Sequence, residues 1–251
     1  MSKSLVTVRL TLVLGLGVLT ACSTPQDLDP TNGIYDPYEV QNRKVHAFNR
    51  ELDRNIVRPA AKGYTNVLPD EVEDLVGNVA SNLAEPSVMT NSLLQGDVKG
   101  LGLSTLRFVL NSTLGIVGLI DVASEFGIAE HDTDFGETLF KWGAGEGPYV
   151  ELPFVGPSTQ RAATGMVVDM FTNPLGYVLG DPEDAIPPVA SVAAGLGARG
   201  RYSDTIDSIL YESADSYAQA RLIYMQNRRF KLGDQNSDAA IDPFELDTEG
   251  F

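Results

Sequence analysis

Apolar residues recur at intervals of three and four along most of this chain, which is the spacing of amphipathic helices. The first segment shows it at Val45, Phe48 and Leu52, and a second segment shows it at Leu75 and Val79. The period-two alternation expected of half-buried strands is not sustained anywhere in the sequence. The pattern therefore predicts an all-α fold, a single domain of amphipathic helices over residues 36–232.

Helix-start signals divide this domain into elements. Asp36, Pro37 and Glu39 stand where a capping acid, a first-turn proline and a capping-box glutamate would begin the first helix. Asp97 is the expected cap of a later helix. Further boundaries are predicted at Arg58-Pro59, Asp70, Pro86 and Ser158, with an ordered aromatic and glycine-rich loop at 135–157 and a long final helix over 203–230.

A low-charge segment lies in the middle of the chain. Between residues 101 and 122 the only charged side chains are Arg107 and Asp121, and glycines interrupt the apolar run. One arginine near the centre of a spanning helix costs about 2.5–3.5 kcal/mol on insertion scales. Two interpretations stay open, a buried pair of core helices and an amphipathic hairpin lying against a bilayer.

The N-terminus has the three parts of a bacterial lipoprotein signal. Lys3 and Arg9 precede an apolar run over 10–19, and small residues then lead to Cys22, the only cysteine. The run is too short for a transmembrane anchor. We predict a signal peptide at 1–21, lipidation of Cys22 and a polar tether at 22–35, and Ser23 favours the outer membrane.

The charge balance excludes some partners. The chain has 18 basic and 34 acidic residues, and removal of the signal peptide would leave a formal charge of −18. Such acidity argues against nucleic acid and against electrostatic docking on anionic lipid. Any membrane contact should therefore be apolar.

The acidic tail, residues 233–251, is predicted to be disordered. Five of its side chains occupy ligand positions of an EF-hand loop, but Ala239 stands where the sharp turn needs glycine. We therefore expect no metal and no cofactor. The weak calcium candidates are Asp234, Asn236, Asp238, Asp242 and Glu245.

The order of short signatures from about residue 36 to residue 230 resembles the VacJ/MlaA family of outer-membrane lipoproteins. No single signature is diagnostic, but their joint order and spacing are specific. The matching residues include Asp36-Pro37, Asn42-Arg43, Phe48-Asn49, Arg58-Pro59, Asn82-Leu83, Pro86, Arg107-Phe108, Asn111, Leu114-Gly115, Gly118, Asp121, Trp142-Gly143, Pro148-Tyr149 and Arg161.

The resemblance implies a ring-like, membrane-embedded lipoprotein in the outer membrane of a Gram-negative bacterium. Such proteins sit beside a porin trimer, remove phospholipid that has strayed into the outer leaflet and pass it to a periplasmic lipid-carrier protein. They maintain lipid asymmetry and break no bonds. The expected partners are thus phospholipid, the porin and the carrier.

Two sets of candidate residues follow. The resemblance links the first helix to gating, although its side chains equally suit packing and capping; these gating candidates are Asn42, Arg43, Phe48 and Asn49. A lipid path needs apolar and polar walls together, although a plain connecting turn would also use such residues. The lipid-path candidates are Asn111, Ser112, Thr113, Leu114, Ile116 and Val117.

Other functions stay open as alternatives. A porin-associated structural lipoprotein without lipid transfer would share the anchor and the partners. A phospholipase is the weakest alternative, because the sequence has two histidines, His46 and His131, and no Gly-x-Ser-x-Gly or Walker motif. We therefore expect the protein not to be an enzyme.

Overall fold

A computed structural model describes residues 33–233. Its elements are α1 (Glu39–Leu52), a π-helical turn (Asp53–Val57), α2 (Arg58–Val67), α3 (Asp70–Gln95), α4 (Val98–Thr113), α5 (Val122–Glu125), α6 (Phe135–Lys141), β1 (Tyr149–Leu152), β2 (Gly156–Thr159), α7 (Gln160–Thr172), α8 (Leu175–Val178), a 3-10 turn (Glu183–Ala185), α9 (Ile186–Arg201), α10 (Ser203–Asp207), a second π-helical turn (Ser208–Glu212) and α11 (Ser216–Lys231).

The predicted all-α class is confirmed. The one sheet in the described part of the chain is the antiparallel pair β1–β2, in which Tyr149 lies opposite Thr159 and Leu152 opposite Gly156. This hairpin lies in the segment predicted as an ordered aromatic and glycine-rich loop. Four-residue strands with no sustained alternation give too little signal for detection in the sequence.

The contacts between successive elements form a closed circuit. The long helix α3 packs on α4 and α9, α9 packs on α2, and α1, which leads into α2, packs on β1. From β1 the contacts continue to α7, then to α6, and from α6 back to α3. This closed circuit is the arrangement expected of a ring-like single domain.

The first helix begins and ends differently from its prediction. Tyr38 occupies the N-cap without a side-chain bond. Asp36 does not cap the helix, because its carboxylate is instead bonded to Asn42, Tyr217 and Arg221. Arg58-Pro59 does not end the helix, because α1 continues through the π-helical turn into α2, of which Pro59 is the second residue.

Two other predicted boundaries are wrong. Pro86 does not begin a helix; it is buried inside the continuous helix α3, where packing against α4 and α6 outweighs the loss of one hydrogen bond. The predicted final helix is interrupted between α10 and α11, where Asp215 caps the new helix by accepting from the Ala218 N–H.

Burial in this fold is inverted relative to a water-soluble domain. The apolar core is small and consists of Ile34, Tyr149, Tyr217 and Met225. Buried polar and charged side chains outnumber the buried apolar ones, while large apolar side chains are exposed on α3, α4, α7 and α9. Soluble monomers seldom expose so much apolar surface, which marks a membrane or partner surface.

The start of the described region also bears on the predicted tether. Ile34 is buried and the Tyr35 carbonyl accepts from the Tyr149 N–H, so the last residues of the 22–35 segment are packed on the domain. Within residues 33–233, no helix combines the length and the hydropathy that a membrane crossing requires.

Candidate functional site

A buried ionic network lies under the connection between α4 and α5. The guanidinium of Arg107, which is 2% exposed, donates to Glu85 at 3.1 Å and to Asp121 at 2.9 Å. It also donates to the Ile128 carbonyl at 2.7 Å. A charge in this position is tolerated because it is paired and hydrogen-bonded on several sides. The low-charge segment 101–122 therefore turns its two charges inward.

Asn111 belongs to the same network. Its amide donates to Asp121 and accepts from the Ala123 N–H, both at 2.9 Å. Burial alone would raise the pKa of Asp121, but hydrogen bonds from Ser124, Asn111 and Arg107 outweigh it and lower the pKa to about 2. Asp121 is thus held as a carboxylate that fixes the start of α5.

Residues 114–120, here called the apolar turn, point outward from this network. Ile116 and Val117 are 60% and 70% exposed, and both have left-handed backbone angles, with φ of 53° and 59°. Such angles are unfavourable for β-branched residues, which lose more there than glycine or asparagine would. The turn therefore holds apolar side chains in solvent at a conformational cost.

Two glycines make the turn possible. A β-carbon on Gly115 would lie 2.2 Å from the Ile120 carbonyl oxygen, and one on Gly118 would lie 2.7 Å from the Asn82 side chain. The Asn78 amide holds the turn on α3 by donating to the Leu119 carbonyl at 3.1 Å. The turn is consequently fixed to α3 rather than free.

An apolar groove of about 420 Å³ adjoins the turn. Its walls come from the first half of α3, from α9 and from Leu119 of the apolar turn. The lining side chains are Leu75, Val76, Val79, Leu119, Ala185, Ile186, Val189, Ala190 and Ala193. This volume lies within the range of small-ligand sites, and the lining suits an acyl chain.

A polar cavity of about 550 Å³ lies between the same two helices. It is lined by Glu73, Asp74, Gly77, Asn78, Ala80, Ser81, Ala194, Gly197, Ala198, Arg201 and Tyr202. Asn78 lines this cavity and is bonded to Leu119, which lines the apolar groove. Polar and apolar walls thus meet at one place on α3.

The six lipid-path candidates do not form one lining. Asn111 is buried in the ionic network, and the Ser112 hydroxyl accepts from the Asn82 amide at 3.0 Å. Thr113 is exposed and bonds back to the Val109 carbonyl. Leu114, Ile116 and Val117 are exposed on the surface. The groove residues of α9 were missed because their segment is rich in proline, alanine and glycine and has no clear apolar stripe.

Two of the gating candidates tie α1 to the hairpin. Asn42 donates to the Tyr149 carbonyl and accepts from the Glu151 N–H, at 3.2 and 3.0 Å. Asn49, two turns later, donates to the Leu152 carbonyl and accepts from the Phe154 N–H, both at 2.9 Å. Each side-chain amide therefore donates one hydrogen bond to the hairpin backbone and accepts one from it.

The other two gating candidates lie at the edges of this contact. Phe48 is 47% exposed and meets the Phe154 ring edge-on, so it is no core anchor. Arg43 makes a double hydrogen bond to Asp215, the cap of α11, at 3.0 and 2.8 Å. Together the four candidates position the hairpin and α11 against α1.

A hydrogen-bonded chain of Ser216, His46 and Glu151 lies behind the hairpin. His46 is 3.1 Å from the Ser216 hydroxyl through Nε2 and 3.2 Å from Glu151 through Nδ1. The order resembles a nucleophile, base and acid. Ser216 is buried and does not line the adjoining 230 Å³ cavity, however, and Glu151 also accepts from the Tyr149 hydroxyl. These three hydrogen-bonded side chains therefore link α1, β1 and α11.

The remaining predicted sites lie elsewhere. Cys22 and the calcium candidates of the tail are outside the described residues. Within residues 33–233, no group of three or more histidine, cysteine, aspartate or glutamate side chains is placed to hold a metal ion.

A helical domain with buried ion pairs, exposed apolar side chains and adjoining polar and apolar cavities is typical of proteins that contact membranes or partner proteins. Residues 34–231 match the family model described as MlaA lipoprotein, and the chain belongs to that family. The resemblance stated from the sequence is confirmed.

Named relatives agree with this assignment. The chain is 33% identical to the intermembrane phospholipid transport system lipoprotein MlaA of Haemophilus influenzae, over 90% of each chain. It is 34% identical to the protein of the same name from Escherichia coli K12, over 87% of this chain and 86% of the relative. An uncharacterised Rickettsia typhi protein is 43% identical, but the match spans only 58% of that relative.

A solved structure shows the same fold. It is described as "Structural basis for maintenance of bacterial outer membrane lipid asymmetry" and superposes with a TM-score of 0.67 at 34% identity. The superposition covers 78% of this chain and 98% of the other.

Proposed function

We propose that this lipoprotein removes mislocalised phospholipids from the outer leaflet of the outer membrane and passes them to a periplasmic carrier. It thereby maintains lipid asymmetry as a component of an intermembrane phospholipid transport system. Two relatives are named as lipoproteins of an intermembrane phospholipid transport system, which supports the proposal. Lipidation at Cys22 and seating beside a porin trimer belong to the same proposal.

The observation that carries the proposal is the inverted burial around the apolar turn. Arg107 and Asp121 are paired inside, while Leu114, Ile116 and Val117 are exposed outside. In water, exposing these apolar side chains is unfavourable, because their hydration costs free energy. Among acyl chains this cost is absent. The left-handed backbone at Ile116 and Val117 adds strain of a kind that is found more often at functional sites.

The adjoining cavities give a phospholipid both surfaces it requires. Its tails suit the apolar groove between α3 and α9, and its headgroup suits the polar cavity on the same helices. Because Asn78 and Leu119 join the two, one molecule can contact both. The chain then binds lipid without any bond-breaking step.

A gene-deletion strain tests the function directly. Without the protein, phospholipid should accumulate in the outer leaflet, and sensitivity to detergent and bile should rise. Complementation with the full chain should reverse both. Normal outer-leaflet lipid in the deletion strain would count against lipid removal.

A porin-associated structural lipoprotein is the second candidate, because the clamped hairpin and the exposed Phe48 and Phe154 also suit a protein contact. Crosslinking to the porin does not separate the two functions, since both predict it. Transfer of labelled phospholipid from this protein to the purified carrier does separate them. Absence of transfer would favour the structural role.

A further inference from the structure

Glu73 is a buried acid whose bonding is incomplete. Its side chain is 3% exposed, and its Oε2 atom lies 3.6 Å from Arg201. Its Oε1 atom is buried and has no hydrogen-bond partner among the described residues. A buried carboxylate oxygen without a hydrogen-bond donor has lost its hydration without replacement, so such an atom calls for an explanation.

Glu73 lies in the wall of the polar cavity between α3 and α9. Asp74 and Arg201 line the same cavity. Gly197 keeps the wall open on the facing helix, since a β-carbon there would already lie 3.7 Å from Glu73 Oε2 and 3.5 Å from the Tyr64 ring. The buried Tyr64 hydroxyl likewise has no partner in the described part of the chain.

The charges in the cavity select the ligand. Two carboxylates, Glu73 and Asp74, face one guanidinium, Arg201, which is half exposed and bonds Asp74 at 2.7 Å. An anionic ligand would meet excess negative charge. A zwitterion that carries an ammonium group and a phosphate complements both signs, because ammonium hydrogen bonds to carboxylates and guanidinium pairs with phosphate.

We propose that this cavity binds the headgroup of a phospholipid with a primary ammonium, such as phosphatidylethanolamine, with the ammonium on Glu73 and the phosphate on Arg201. The assignment rests on the proposed function, since the neighbouring apolar groove would hold the tails. A primary ammonium brings three N–H donors to Glu73 Oε1. A trimethylated ammonium brings charge without a donor, and a glycerol headgroup brings no positive charge.

The test uses the purified full chain in detergent and vesicles with equal parts of phosphatidylethanolamine, phosphatidylcholine and phosphatidylglycerol. The protein is repurified and its bound lipid is quantified by mass spectrometry. We expect phosphatidylethanolamine to exceed each of the others by roughly three- to tenfold, the scale of one net hydrogen bond. Equal shares in the wild type would overturn the headgroup assignment alone, whereas absence of all lipid would overturn the proposed function as well.

Two variants and a control locate the effect. Glu73→Gln keeps the shape and removes the charge, and it should abolish the preference while total bound lipid stays the same. Glu71→Gln, an exposed acid of the same first turn, should behave as wild type. Gly197→Ala places a methyl at ordinary contact distance from Glu73 and should also lower the preference. A preference that survives Glu73→Gln in a folded protein would refute the proposal.

Competition with a soluble headgroup distinguishes binding of the whole lipid from binding of the headgroup alone. Phosphoethanolamine carries the same ammonium and phosphate without tails. It should compete at least tenfold less well than the lipid, because it leaves the apolar groove empty. Equal affinity of the two would assign the cavity to a small soluble amine rather than to a phospholipid.

Discussion

Single amides and glycines set the positions of the hairpin and of the apolar turn. Asn42 and Asn49 each satisfy a donor and an acceptor on the hairpin, and Asn111 does the same between Asp121 and Ala123. An amide suits this role because it presents both functions in one plane. The family resemblance selected these residues, but only the structure shows that Asn42 and Asn49 bond backbone groups about a hundred residues away.

Gly118→Ala should destabilise the protein by roughly 1–3 kcal/mol. The new methyl would lie 2.7 Å from Asn82, at a backbone φ of 90° that disfavours any side chain. Thermal unfolding followed by circular dichroism in detergent measures the change. Gly102→Ala is the matched control, since it meets nothing within 4 Å inside helix α4 and should be neutral or stabilising. Equal melting temperatures for the two variants would contradict the role given to Gly118.

At the scale of elements, two π-helical turns face one another across an ionic cluster. Asp53, in the first turn, accepts from Arg199 at 2.8 and 2.7 Å and from the Tyr211 hydroxyl of the second turn at 2.6 Å. Asp207 accepts from Arg199 and Arg58. The cluster joins α1, α2, α9 and α10 at one point of the circuit. Each wide turn is stabilised by side chains that the other turn or its neighbours supply.

Arg199→Ala should destabilise the protein by about 3 kcal/mol or more, because Asp53 and Asp207 would be left facing each other in a partly buried site. Chemical denaturation of the purified protein measures the loss. Lys231→Ala removes an exposed pair with Asp132, away from the cluster, and should change stability by less than about 1 kcal/mol. A similar effect of both substitutions would mean that the cluster contributes no more than a surface pair.

The apolar turn gives a prediction with opposite signs for stability and attachment. Ile116→Asn with Val117→Asn should leave stability unchanged or raise it, because asparagine tolerates the left-handed backbone. The same change should weaken membrane association, measured by flotation of the protein with lipid vesicles. The control is Val40→Asn, because Val40 is 75% exposed on α1. Leu68→Asn would not serve, because Leu68 is the C-cap of α2. Unchanged flotation of the double variant would exclude the turn as a lipid contact.

How far the sequence predicted this structure depends on the range of the signal. Helical periodicity and the Asp97 cap are local, and both are confirmed. Pro86 and the break before Asp215 were mispredicted because tertiary packing and a local cap outweighed intrinsic propensity. The cavities could not be foreseen, since they join α3 to α9 from segments more than a hundred residues apart. The exposure of Leu114 and its neighbours was one of two open interpretations.

At the scale of the whole molecule, we expect membrane attachment to have two sources, the lipid predicted on Cys22 and the exposed apolar side chains of the domain. Cys22→Ala should prevent the protein from reaching the outer membrane, because the lipid predicted on Cys22 is expected to direct its sorting. Fractionation of outer and inner membranes from cells measures the result, with wild type as reference. If the variant still fractionates with the outer membrane, the apolar surface alone holds it there, and the lipid serves only delivery.

The small core has a calorimetric consequence. The heat capacity of unfolding grows with the apolar area newly exposed to water and falls with the polar area, and it averages about 12–15 cal/mol/K per residue. Here many large apolar side chains are in solvent before unfolding begins, and much of what unfolding uncovers is charged. Calorimetry in water, with Cys22→Ala protein, should therefore give a value below that average. The free energy of unfolding would then change little with temperature, and the folded state would persist over a wide span of temperatures.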